Sequence, residues 1–126
     1  MNLVDSCCWL EYLADSGIGR LVAPIIKDTR SLLVPSVCLY EVYKKLSKEK
    51  SELYAFEVVS YMRNGRVVGL DAGLSVAAAN VSREHRLSMA DSIIYATALQ
   101  TASTLWTSDK HFQGIHGVRY LPKLAL

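Results

Sequence analysis

The sequence predicts an α/β fold in which helices cover both faces of a central parallel sheet. Three observations carry this prediction. Short apolar runs rich in β-branched residues, among them NLV, LLV and VVGL, alternate with longer segments whose apolar residues recur at helical spacing. Strands alternating with helices make right-handed βαβ units, and hence a parallel sheet. Acidic residues also stand where strand hands over to helix: Asp5 after NLV, Glu41 in the helix after SLLVP, Asp91 opening DSIIYATAL, and Asp109 after TLWTS. In open α/β sheets, ligands bind in the crevice outside the carboxyl ends of the strands.

The elements follow in order. Residues 2–4 form a short strand, and a helix through about residue 14 carries Trp9, Leu10 and Leu13. Gly17 breaks it. A second helix runs from Ile18 to about Lys27, with Pro24 tolerable only near its first turn. Leu32 to Val34 is the second strand, ended by Pro35, and Ser36 suits the N-cap of a helix from Val37 to Leu46. Leu53 to Met62 is periodic again, with Leu53, Phe56, Val59 and Met62 on one face. Asn64-Gly65 makes a turn into a third strand, Val67 to Leu70. Asp71 caps a helix from Ala72 to about His85. A helix from Ala90 to Ala102 precedes the fourth strand, Thr104 to Thr107, and a fifth lies near Val118 to Leu121.

The 126 residues match one domain, spanning residues 1–126 and large enough for a real core. Hydrophobic residues are 51% and charged ones 21%, which excludes a disordered chain. Arg30, Lys44, Arg63, Arg83 and Lys110 keep every apolar run short of the roughly 18 residues of a membrane span. The start, MNLVDSCCWLEYL, lacks the basic segment of a signal peptide. Three cysteines, Cys7, Cys8 and Cys38, are an odd number without metal-ligand spacing, which favours a reducing cytoplasm. The net charge of +2 names no partner. Lys44, Lys45, Lys48 and Lys50 read as a solvated helix end, interrupted by Glu49 and Glu52.

Each acid also has a plainer role. Asp5 suits a helix N-cap, Glu41 an i,i+4 partner of Lys45, and Asp109 the cap of a short turn. Asp91 differs, because its helix is apolar nearly all round. Ile94, Tyr95 and Ala98 share its face at i+3, i+4 and i+7. An ionised carboxylate there must pair, protonate or bind a cation. The helix N-terminus supplies only about 0.3–1 kcal/mol towards holding the charge. Carboxylates brought together suit a hard divalent cation and metal-assisted phosphodiester hydrolysis.

Together, Val4-Asp5-Ser6, Glu41, LSMADSIIYATAL and TLWTSDKHF resemble the PIN-domain ribonucleases, and above all the VapC-type toxins of toxin–antitoxin pairs. The likeness runs from Leu3 to about Leu121. It implies a three-layer α/β/α sandwich, a parallel sheet of four to five strands in the order 3-2-1-4-5, and an acidic quartet of Asp5, Glu41, Asp91 and Asp109. Ser6 and Thr107 match the supporting hydroxyl residues. The resemblance further implies Mg²⁺ or Mn²⁺, an RNA substrate cut to leave 5′-phosphate and 3′-hydroxyl ends, and a cognate antitoxin as partner. Its strand order puts the third strand at an edge, so Asp71 is expected to be a cap and not a ligand. Cys7-Cys8 departs from the usual residues, and both cysteines are expected to be packing residues.

His111 and His116 are expected in surface or turn roles, because no cysteine or third histidine stands near them in sequence. Trp9, Tyr12, Leu13, Tyr40, Tyr43, Tyr54 and Phe56 exceed what one side of a sheet needs, which predicts a homodimer and an antitoxin-binding groove. Two other readings are a PIN-fold protein for RNA processing or regulation outside a toxin pair, and a different Mg²⁺-dependent phosphoesterase. An aspartyl-phosphate phosphatase would want an acid two residues after Asp5, where Cys7 stands.

Overall fold

The computed structural model describes residues 1–123. Its strands are β1 (Asn2–Val4), β2 (Leu32–Pro35), β3 (Arg66–Val68), β4 (Thr104–Thr107) and β5 (Val118–Tyr120). They form one sheet in the order β3-β2-β1-β4-β5, with every neighbouring pair parallel. This is the order that the family resemblance implies. Among the described residues six α-helices fall in pairs between the strands from β1 to β4: α1 (Ser6–Leu13), α2 (Gly17–Lys27), α3 (Ser36–Glu49), α4 (Glu52–Met62), α5 (Ala72–His85) and α6 (Met89–Gln100). Consecutive helices pack as the pairs α1/α2, α3/α4 and α5/α6.

The central strands are the apolar ones. Leu3 and Val4 of β1 and all of β2 are buried, as strands covered on both faces must be. The edge strand β3 is largely exposed. Trp9 lies in the core at 1% exposure, with the rings of Tyr12 and Tyr61 edge-on to it, so it is not an interface residue as the sequence suggested. In α2, Gly19 lies against α1: a Cβ there would stand 2.2 Å from the carbonyl oxygen of Glu11. Only glycine permits that approach.

Three local expectations are corrected. The helix after β2 begins one residue earlier than predicted, so Pro35 takes the N-cap position without a side-chain bond and Ser36 becomes the first helical residue. Pro24 sits inside α2, beyond its first turn. Pro24 and Arg20, whose carbonyl loses its i+4 partner, are both exposed, so water can satisfy that carbonyl. The buried face of α4 is Ala55, Val58 and Met62, whereas Leu53 and Phe56 are 71% and 64% exposed. A helix apolar on several sides does not reveal which side the core takes, and small Ala55 lets α4 pack closely.

Candidate metal-dependent active site

Asp5 follows β1 directly and is 3% exposed. One carboxylate oxygen accepts the Ser6 N–H at 2.7 Å, capping α1, and the other accepts the Thr107 hydroxyl at 2.7 Å from the end of neighbouring β4. Ser6 also donates its hydroxyl to Glu41 Oε1 at 2.9 Å, so one serine bridges the first strand's end to α3. Lys45 pairs with Glu49 and not with Glu41. Thr107 Oγ1 in turn accepts the Asp109 N–H at 3.0 Å, and Asp109 caps the short 3-10 turn that follows by accepting the His111 N–H at 2.9 Å. Asp91 stands in the first turn of α6, whose N-cap is Ser88. The four predicted acids thus come to one place at the carboxyl edge of β1, β2 and β4.

Their ionisation reflects that crowding. Burial raises the Asp5 carboxyl well above its ordinary range; Asp91 adds to the effect and the Thr107 hydroxyl opposes it. Burial, followed by the charge of Asp109, pushes Asp91 up to about 6. Glu41 is raised by burial, against the pull of the Ser6 hydroxyl, with Asp109 adding to the rise. Among the described residues, no lysine or arginine forms an ion pair with any of the four. The carboxylates therefore want positive charge that the chain's strong bases do not give. Oxygen donors alone, so placed, fit a hard divalent cation.

The PIN domain family model matches residues 3–117. The chain belongs to the PIN-domain family. Among proteins of curated function, none matches its sequence. Solved PIN-like structures share its fold at low identity. A toxin–antitoxin complex from Klebsiella pneumoniae is 19% identical with a TM-score of 0.79, covering 94% of this chain and 96% of its own. DNA-bound VapBC from Salmonella typhimurium is 16% identical with a TM-score of 0.72, over 97% and 98% of the two chains. VapC20 of Mycobacterium tuberculosis, a toxin that cleaves the sarcin–ricin loop, is 16% identical with a TM-score of 0.73, over 94% and 99%.

Two further residues of this PIN domain reach the site: His111, which lies on an exposed turn as expected, and Cys7, which also packs partly against the core. Cys8 is buried in the core as predicted, but Cys7 turns its thiol towards Asp5 Oδ2 at 3.5 Å and Thr107 Oγ1 at 3.6 Å, with the Ser108 hydroxyl 3.3 Å away. Successive helix residues diverge by about 100°, so the two cysteines cannot share one face. His111 brings Nδ1 to 3.0 Å from Asp109 Oδ1 and 3.7 Å from Asp91 Oδ2. The one sequence signal was its place two residues after Asp109, inside the turn which that acid caps. His116 is a turn residue, its carbonyl accepting the Tyr95 hydroxyl at 2.7 Å. Asp71 caps α5 through the Leu74 N–H at 2.8 Å and stays out of the cluster. No described helix is long and apolar enough to cross a membrane.

Proposed function

We propose that this PIN domain is a divalent-metal-dependent endoribonuclease and the toxin of a toxin–antitoxin pair. The observation that carries the reading is the convergence of Asp5, Glu41, Asp91 and Asp109 without a lysine or arginine partner, in a chain of this family. Asp5 and Asp91 would hold Mg²⁺ or Mn²⁺, directly or through water, with Asp109 and Glu41 completing the site. The bound ion would lower the pKa of a water and neutralise charge on the scissile phosphate. Asp109, and Glu41 with its bond from the Ser6 hydroxyl, would orient the attacking water. Ser6 and Thr107 are positioning residues that hold the carboxylates of Glu41 and Asp5.

The toxin assignment draws on the structural neighbours, a toxin–antitoxin complex, DNA-bound VapBC and VapC20, a toxin that cleaves the sarcin–ricin loop. It draws also on an exposed aromatic surface. Tyr40, Tyr43, Tyr54 and Phe56 lie outside the core on α3 and α4, and they suit contact with a second copy or an antitoxin segment. The test is cleavage of single-stranded RNA by purified protein. Cutting should require Mg²⁺ or Mn²⁺ and stop in excess EDTA. Equal cutting in EDTA would reject the mechanism, and a 14.0 kDa species in light scattering at all concentrations would reject the dimer.

A further inference from the structure

The geometry points to His111 as a nitrogen ligand of the cation held by Asp91 and Asp109, which makes the site a mixed oxygen–nitrogen centre that favours Mn²⁺ and later first-row ions over Mg²⁺. This rests on the metal-dependent reading above.

Three observations support it. His111 Nδ1 and one oxygen from each of Asp91 and Asp109 all lie within 4.8 Å of one another. Metal–ligand bonds of about 2.1 Å at right angles set neighbouring donors roughly 3 Å apart. The observed separations of 3.0 and 3.7 Å therefore suit donors that share an ion after a small adjustment.

The backbone that carries the ring is also held there by the chain. Phe112, the next residue, is fully buried and anchors the 3-10 turn, while the His111 N–H is tied to Asp109. The imidazole has no competing structural role. Its side chain is 76% exposed, and its partners among the described residues are those two acids. Its exposed ring can turn to close the 3.7 Å separation from Asp91 to the roughly 3 Å of neighbouring donors.

The chemical consequence is selectivity. Carboxylate and water suit Mg²⁺, whereas imidazole strengthens binding along the series from Mn²⁺ to Ni²⁺. A simple hydrogen-bonded histidine beside two acids would give no such preference.

Pulsed EPR of the Mn²⁺-loaded chain distinguishes the two. Electron spin-echo modulation should show ¹⁴N coupling from a directly bound imidazole. The coupling should vanish in His111→Gln and persist in His85→Gln and His116→Gln. In calorimetry with Ni²⁺ and Mg²⁺, His111→Gln should lose about tenfold or more in Ni²⁺ affinity and change less than about twofold for Mg²⁺. Circular dichroism should be unchanged, since the side chain is exposed. Bound Mn²⁺ without ¹⁴N coupling, or coupling that survives His111→Gln, overturns the ligation by His111 and leaves the carboxylate site standing. Failure to bind Mn²⁺ at all overturns both.

Discussion

Asp5 and Asp71 each follow a strand of the parallel sheet and cap the next helix, Asp5 through the Ser6 N–H at 2.7 Å and Asp71 through the Leu74 N–H at 2.8 Å. Asp5 follows β1, which lies between β2 and β4; it is buried and meets Thr107 and the field of Asp91. Asp71 follows β3 at the sheet's edge and is exposed. Capping is decided within a few residues of the chain. Membership of the site is decided by strand order, which brings Asp5 its neighbours and leaves Asp71 none.

The sharpest way to break this comparison is to neutralise both kinds of acid. Asp5→Asn and Asp91→Asn should each lower RNA cleavage by about a hundredfold or more, roughly 3 kcal/mol of transition-state stabilisation. Asp71→Asn should stay within about twofold of the parent, because asparagine caps as well as aspartate. Rates with saturating Mg²⁺ decide it. An Asp71→Asn variant as inactive as Asp91→Asn would end the distinction.

Stability without metal gives a smaller effect with a defined sign. The Asp91 carboxyl has a folded-state pKa of about 6 against an ordinary 3.8, so the folded chain binds that proton more tightly than the unfolded chain does. The resulting stability is present below about pH 3.8 and drains away as pH rises through about 6. Asp91→Asn removes this loss. In EDTA at about pH 7.5 its Tm should exceed that of the parent by a few degrees, and the gap should close towards about pH 4. A gap that is the same at both pH values would show that the raised Asp91 carboxyl, lifted first by burial and then by Asp109, is not its cause. Asp71→Asn should show no such pH-dependent gap.

The smallest effect concerns capping itself. Asp71→Ala should cost about 1 kcal/mol in urea unfolding by removing the bond to Leu74, with little change in cleavage per folded molecule. If cleavage fell in proportion to that loss, α5 would be coupled to the site after all.

Much of this could be read in the sequence because it is periodic and local. Thr104–Thr107 and Ala72–His85 announce themselves by β-branching and by a capping aspartate, and their bounds agree with the structure. Asp5 and Asp109 could be found because each closely follows a strand. The expectation of such a junction fails for Asp91, which opens a helix that follows another helix and stood out by its apolar surroundings. It fails also for Glu41, which lies in the second turn of α3. What stayed hidden depends on approach between distant segments. Gly19 reads as one more glycine until α1 lies against it, and the buried face of α4 is chosen by its neighbours rather than by its own pattern. Cys7 and His111 were read as packing and surface residues because nothing local says which way a side chain turns. The turn capped by Asp109 aims His111, and the helical offset from Cys8 aims Cys7.

The order of the strands also has a consequence for how the protein is made. β4 pairs with β1, although a hundred residues of chain separate Asn2 from Thr104. A growing polypeptide thus presents Asp5 and Glu41 long before Thr107 and Asp109 exist. No amino-terminal fragment ending ahead of Asp109 contains the whole quartet, so chain growth from the ribosome withholds the complete site until Asp109 has been made. On this plan the first acids wait for the last, and the site is assembled only when β4 joins β1.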